Sequence, residues 1–221
     1  MNTPTLTDED RDALAREDVR AVRGRIARAD ADTLALLLTE ARTHYGWQDR
    51  EVPEALLREL YDIAKMGPTS MNQQPMRLVF VRSAAAKDRL EPLLLEQNRQ
   101  KMRTAPVTAI VGHDLAFYEK LPQVFPANPK AKGLFEGDAA MAQANAFRNG
   151  TLQGAWMMLA ARALGLDVGA MSGFDNAGVD GEFFAGTTVK SNFLMNLGYA
   201  DETKIFRRLP RLAFDEVATI I

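Results

Sequence analysis

The sequence contains no cysteine and only two histidines, His44 and His113. The first absence removes disulfides, thiolate metal sites, iron–sulfur clusters and cysteine nucleophiles together. The second leaves no histidine-rich metal site and confines any Ser–His–Asp triad to one of two imidazoles, so no metal is expected. No apolar run approaches the roughly 20 residues that cross a bilayer. The N-terminal stretch is acidic and polar and lacks the apolar core of a signal peptide, which points to a cytoplasmic protein. Charge of one sign is not in excess either. The 27 Lys and Arg against 29 Asp and Glu give a formal net charge of -2, which offers no global attraction to nucleic acid or anionic lipid. Neither a G-x-G-x-x-G fingerprint nor a P-loop is found, so the chain has no dedicated Rossmann site for a dinucleotide. Hard redox chemistry on such a chain requires a bound organic cofactor.

What remains is an ordinary globular composition on a chain long enough to bury a core without staples. Residues 1–30 stand apart. Thr7 is placed to cap a helix with Asp10 three residues on, and Ala15, Val19, Val22 and Ile26 recur at helical spacing among many charges. That stripe fits a solvated peripheral helix or one that covers a partner. Apolar spacing predicts helices over 33–42 and 54–65, the second stopped by Gly67-Pro68. Strands are expected at 78–82, 108–112, 168–171 and 193–197, and a helix over 87–102. The longest predicted helix, 147–164, carries Leu152, Trp156, Leu159 and Ala163 on one stripe, with Gly165 and Leu166 as its C-terminal stop. It suits either a buried core position or a subunit interface. Residues 114–138, rich in proline, glycine and aromatics, are long for a plain connection and read as a lid or substrate-side excursion. The order of elements implies an α+β domain over 31–221 around a mixed or antiparallel sheet.

Four segments carry candidate chemistry. Gly67-Pro68-Thr69-Ser70-Met71-Asn72-Gln73-Gln74-Pro75 is a rigid strip of neutral donors and acceptors. It suits the edge of a planar heteroaromatic ring, and equally a cluster of capping and turn residues. Ala41-Arg42-Thr43-His44 ends a predicted helix in a cation, a hydroxyl and an imidazole, where Arg42 also simply suits the helix dipole. Arg207, Arg208 and Arg211 would repel one another unless they meet an anion or solvent. Asn98 and Lys101 share a helical face at i, i+3, and Ser172-Gly173 follows a predicted strand, where the glycine permits close backbone approach.

Together, and in this order, these segments resemble the nitroreductase family of flavoproteins. Pro68–Pro75 is similar to the family's flavin loop, Asn98–Met102 to its N-x-x-K-M segment, Ser172–Asp175 to its turn beside the flavin, and Arg207–Pro210 to its terminal R-L-P. Segments 41–47, 67–75, 104–111, 163–175 and 209–216 further resemble the malonic semialdehyde reductases of pyrimidine degradation. The likeness covers about residues 34–221 and leaves 1–30 outside it.

The resemblance implies a nitroreductase-like sandwich in an interlocked homodimer, FMN as cofactor, and NADPH or NADH as transient hydride donor. It implies that Arg42, Thr43 and Arg208, with His44 and Arg207, hold the phosphate and ribityl chain. Pro68, Thr69, Ser70, Asn72 and Gln74 would line the flavin from the other subunit. Asn98 would reach the ring's pyrimidine edge, Lys101 would sit near N1 and O2, Ser172 would lie in the turn beside the flavin, and the Gly173 N–H would face N5. The chain departs from the family pattern twice. Tyr45-Gly46 stands where many members carry a second basic residue, which leaves Lys101 as the cation near the ring, and Ser172 stands where many carry Glu. The implied reaction is ping-pong reduction of malonic semialdehyde to 3-hydroxypropanoate. Alternatives are reduction of nitroaromatics, quinones or enones on the same scaffold, and flavin binding without turnover. No catalytic proton donor is identified. Arg77, Arg103 and Arg148 are candidates for the substrate carboxylate.

Overall fold

The computed structural model describes residues 7–24 and 28–221. Helix α1 (Asp8–Arg23) opens with the expected capping box between Thr7 and Asp10 and buries none of its residues. Ile26, the last position of its apolar stripe, lies outside the described residues. A short helix α2 (Ala31–Leu34), capped by Asp30, continues as one wider helical turn, Ala35–Thr39. The predicted helix over 33–42 therefore starts earlier and stops sooner. The cause is the sheet edge: the His44 N–H donates to the Val168 carbonyl at 3.0 Å, and Trp47 bridges to Ala200. These contacts draw residues 43–47 into extended backbone.

Helix α3 (Glu54–Ala64) leads through the glycine-proline stop to β1 (Met76–Val81). The single helix predicted over 87–102 is two. Helix α4 (Ala84–Leu90), capped by Ser83, gives way to a tight turn, Glu91–Leu93, before α5 (Glu96–Thr104). Pro92 has no N–H to continue the helical ladder. The break lets Leu94 bridge to Phe174 and the Leu95 N–H reach the Gly173 carbonyl at 3.1 Å. After β2 (Val107–Asp114), the excursion folds as small helices, among them α6 (Leu121–Val124) and α7 (Gly133–Glu136), around Phe117, Leu121 and Phe135. Helix α8 (Ala139–Ala163) starts eight residues before the predicted boundary, at an Asp138 cap that apolar periodicity does not reveal. It stops as expected, at Gly165 with φ 75°. Strand β3 (Asp167–Met171), helix α9 (Asn176–Phe183), strand β4 (Val189–Gly198) and a terminal turn α10 (Phe214–Val217) complete the order.

The four strands form one antiparallel sheet in the order β1-β2-β4-β3. Alternation sorts its two faces. Ala109, Val111, Phe193, Met195 and Leu197 pack with α3 and α8, while Ile110, Leu194 and Met171 pack with residues of α4, α5 and α9. The architecture is thus the expected α+β sandwich.

The stripe that defines the longest predicted helix lies mostly on its outer side. Leu152 and Trp156 are 46% and 43% exposed. The face on the sheet is small and polar instead: Ala142, Ala146, Asn149, Gly150, Gln153, Gly154, Met157, Ala160 and Ala161. A Cβ on Gly154 would lie 2.5 Å from Phe193 Cζ, and one on Gly150 would lie 2.8 Å from His113 Cβ, so the helix rests closer to the sheet than any side chain there permits. Gly154→Ala is expected to cost about 1–2 kcal/mol, overpacking outweighing the helix-propensity gain. Gly181→Ala in α9, where nothing lies within 4 Å of the new methyl, is expected to gain about 0.5–1 kcal/mol. Urea unfolding midpoints of the two variants check both signs.

Candidate functional site

The candidate residues gather in two places. The first is a cavity of about 830 Å³ beside the C-terminal end of α8. Arg42, Thr43, Arg207 and Arg208 line it, and Arg162, Arg211 and Tyr45 join them. The Arg42 guanidinium donates to the Phe206 carbonyl and that of Arg162 to the Leu37 carbonyl. Arg208 reaches the Ala41 carbonyl and lies 3.4 Å from a Glu40 carboxylate oxygen. Among the described residues, Glu40 is the one carboxylate in ion-pair contact with these five arginines. Clustered guanidinia with so little compensation favour an anion, and a phosphate is the natural bidentate partner.

His44 stands at the back of this segment. Its Nε2 lies 3.2 Å from Asp167 Oδ1, and its buried Nδ1 has no hydrogen-bond partner among the described residues. Burial, the largest single influence on Asp167, pushes its pKa up. The His44 hydrogen bond, the Ala200 N–H, and the charges of His44 and Arg162 together outweigh it and hold the carboxyl below its ordinary value.

A polar chain leads away from the arginines. Phe206 meets Tyr45 edge-on at 5.0 Å between centroids, and Lys101 Nζ lies 4.7 Å from the Tyr45 ring centre. Lys101 donates to Asn98 Oδ1 at 3.0 Å, and Asn98 Nδ2 donates to the Gly173 carbonyl at 3.0 Å. Asn98 is buried, and burial lowers the Lys101 pKa. A Cβ on Gly173 would fall 2.6 Å from Asn98 Nδ2, so a side chain here would displace the Asn98 amide, with no left-handed backbone involved. Ser172, beside it, is exposed.

The second place is the loop from Pro68 to Gln74. No hydrogen bond among the described residues ties it to Arg42, Asn98, Lys101 or Gly173. Helix α8 holds it instead. Asn149 accepts from the Ser70 N–H at 2.8 Å and donates to Gln73 Oε1 at 2.9 Å, while Gln73 donates to Asn145. Gln153 accepts from the Met76 N–H at 2.9 Å. On the other side, Asn72 donates to the Val124 carbonyl, Gln74 Nε2 to Asn72, and the Gln74 N–H to the Thr69 hydroxyl. Met71, Asn72 and Gln74 are left-handed, with φ of 51°, 51° and 44°. Such backbone costs of order 1–2 kcal/mol per non-glycine residue and persists only where the surroundings enforce it. Pro68, Ser70 and Asn72 remain exposed.

Two proposed carboxylate anchors are already engaged. Arg77 pairs with Asp114 at 2.7 Å and donates to the Gln74 and Met76 carbonyls, and Arg103 pairs with Asp88 and Glu91. Arg148 is exposed on α8. Reading the sequence overlooks the amides of α8, although Asn145, Asn149 and Gln153 recur every four residues and so share a face. It also overlooks Arg162, which becomes a neighbour of Arg42 only through the fold.

The chain belongs to the nitroreductase family, whose model matches residues 38–199. It is 55% identical over 190 residues to a Ralstonia pickettii protein bearing the name NADH dehydrogenase/NAD(P)H nitroreductase HadB, covering 85% of this chain and 97% of that one. A Stenotrophomonas maltophilia protein of the same type of name is 56% identical over 191 residues, 86% of this chain and 97% of its own. A nitroreductase of Exiguobacterium sibiricum in complex with FMN has the same fold, with a TM-score of 0.77 at 18% identity, covering 89% of this chain and 100% of that one. The enone reductase CLA-ER of gut-bacterial fatty acid saturation also shares it, with a TM-score of 0.76 at 15% identity over 87% of this chain and 99% of its own.

The Asp167 arrangement makes stability depend on pH. A depressed folded pKa contributes stability that is present above the unfolded value, about 3.9 for Asp, and is lost as pH falls through the folded value. Asp167→Asn is expected to lower Tm at neutral pH, with the gap from wild type beginning to close near the unfolded pKa of about 3.9 and closing as pH falls through the lower folded value. Thermal melts across that range check this; a gap that stays constant means the carboxylate charge contributes nothing.

Proposed function

We propose that this protein is an FMN-dependent, NAD(P)H-linked reductase acting as a homodimer. One observation carries the reading: a cavity of five arginines continues, through Phe206, Tyr45 and Lys101, to the buried Asn98 and the tightly approached Gly173. The donor set fits FMN from end to end. Guanidinia and the Thr43 hydroxyl suit a phosphate dianion, and neutral amides with one partly buried cation suit a heteroaromatic edge. Arg42, Thr43 and Arg208 would hold the phosphate end, with His44 and Arg207 beside them. Asn98, Lys101, Ser172 and Gly173 would serve the ring.

Pro68, Thr69, Ser70, Asn72 and Gln74 would come from the other subunit. Three features support that assignment. The loop makes no hydrogen bond to the arginine side of its own chain. Helix α8 shows a large apolar outer face at Phe147, Leu152 and Trp156, and the tail exposes Phe206, Leu209, Leu212 and Phe214. A monomer rarely leaves so much apolar surface to water. Residues 31–221 form the flavin unit on this reading, and residues 1–30, with helix α1, are an extension outside it. No helix among the described residues is long and apolar enough to cross a membrane.

Bound FMN would supply two-electron hydride chemistry, taking reducing equivalents from NADPH or NADH and delivering them to an organic acceptor in a separate half-reaction. Lys101, fixed by Asn98, offsets negative charge gained at the ring edge. The glycine at 173 lets its backbone lie directly against Asn98, which a Cβ there would displace.

The acceptor we propose is malonic semialdehyde, whose aldehyde carbon would gain a hydride and whose oxygen would gain a proton to give 3-hydroxypropanoate. The likeness of residues 41–47, 67–75, 104–111, 163–175 and 209–216 to reductases of that substrate supports it. The names borne by the relatives favour a second reading, reduction of nitroaromatics, and the fold is shared with an enone reductase. Fold and cofactor alone do not choose between these acceptors.

Anaerobic titration of the purified protein with NADPH, then with malonic semialdehyde, tests the proposal. The flavin bands are expected to bleach and then return. Bleaching that only a nitroaromatic or enone reverses moves the substrate to the second reading, and bands that never bleach leave a flavin binder without turnover. Arg208→Ala is expected to weaken FMN binding by about 1.5–3 kcal/mol, the worth of a charge-assisted contact. Fluorescence titration of the apoprotein with FMN measures it, and unchanged affinity removes Arg208 from the site.

A further inference from the structure

Tyr45 lines the arginine cavity, and its surroundings give it a task of its own. Its backbone is pinned on both sides. The preceding His44 N–H donates to the Val168 carbonyl at 3.0 Å, and the following Gly46 carbonyl accepts from the Asp201 N–H at 3.0 Å. The ring is held edge-on by Phe206, whose own carbonyl receives the Arg42 guanidinium. Over the Tyr45 ring lies the Lys101 ammonium, 4.7 Å from its centre and 3.0 Å from Asn98 Oδ1. Lysine has a flexible four-carbon stem, so a fixed ammonium needs fixed partners. These two are the partners the structure provides among the described residues. No carboxylate forms an ion pair with Lys101 among them.

We infer that Tyr45 is a positioning residue for Lys101: its ring face holds the ammonium in place, so that the charge balance at the flavin ring is set from the phosphate end of the site. The inference rests on the flavin reading above. Cation–π attraction is electrostatic and strengthens as the cation loses water, and Lys101 is partly desolvated, with its pKa lowered by burial. An aromatic here contributes what a second cation would not. It fixes the one existing charge without adding another beside five arginines. A lysine or arginine at position 45 would repel Lys101 and add to a cavity already short of anions.

The two-electron reduction of FMN takes up one proton and leaves one negative charge on the ring, so the measurement is the midpoint potential of the bound flavin. Releasing Lys101 weakens binding of reduced FMN relative to oxidised FMN. Tyr45→Leu is expected to weaken it about three- to fivefold, lowering the potential by about 15–20 mV at roughly 30 mV per tenfold for a two-electron couple. Tyr45→Phe keeps the ring face and is expected to match wild type. Trifluorophenylalanine at position 45 preserves the shape, guards against a folding artefact, and is expected to shift the potential in the same direction as Tyr45→Leu. In a Lys101→Gln background, which lowers the potential further, Tyr45→Leu is expected to add nothing.

A wild-type or raised potential in both the leucine and the fluorinated proteins overturns the inference. So does a Tyr45→Leu shift that persists without Lys101, because the tyrosine would then act on the flavin directly. These outcomes leave the flavin reading intact. A wild-type protein that takes up no FMN removes that reading, and the inference falls with it.

Discussion

The distance between helix α8 and the sheet governs much of this molecule. Gly150 and Gly154 leave no room for a side chain against His113 and Phe193, and alanines fill most of the remaining contact face. The helix therefore sits low, and its short amides reach the neighbouring loop directly. Asn149 is fully engaged with Ser70, Gln73 and its own helix turn, and Gln153 with the first residue of β1. A buried amide network of this sort has to be satisfied throughout or it destabilises the fold. The same closeness leaves the large apolar residues of α8 facing outward, where a second subunit can cover them.

Electrostatics organises the other half of the site. The arginine cavity gathers residues from three distant stretches: residues 38–45, the end of α8 and the tail. Backbone carbonyls of Phe206, Leu37, Ala41, Leu209 and Pro210 hold four of the five guanidinia. Neutral acceptors orient the cations without cancelling their charge, which preserves the field that an anion would meet. Lys101 follows the same logic, held by an amide oxygen and a ring face where a carboxylate would neutralise it.

The fold class, the four strands and most helix positions are legible from spacing, because one-sided burial writes a period into the sequence. Legibility fails for identifiable reasons. The helix expected over 87–102 breaks because Pro92 interrupts it, and the break is what delivers Asn98 and Lys101 to Gly173. The start of α8 depends on one Asp138 side-chain bond, too local for a periodic signal. The apolar stripe at Leu152 and Trp156 reads correctly as one face, yet periodicity cannot tell whether it meets a core or a partner. Among site residues, Arg42, Thr43, Arg207 and Arg208 do gather in one cavity, and Asn98, Lys101 and Gly173 do touch. Arg162 is silent in sequence, since its role exists only once chain segments more than a hundred residues apart are brought together.

The left-handed residues of the loop carry a consequence for transplantation. Met71, Asn72 and Gln74 hold a backbone shape that their own chemistry disfavours, so the shape belongs to the neighbours that impose it. The loop is a casting, and α8 with Val124 is its mould. Moved into another scaffold by itself, residues 68–75 would relax to ordinary turns and present their donors in other directions. The heritable unit is discontinuous, a loop together with the amide face of a helix some seventy residues later, and recombination that separates the two would break the site while leaving every loop residue unchanged.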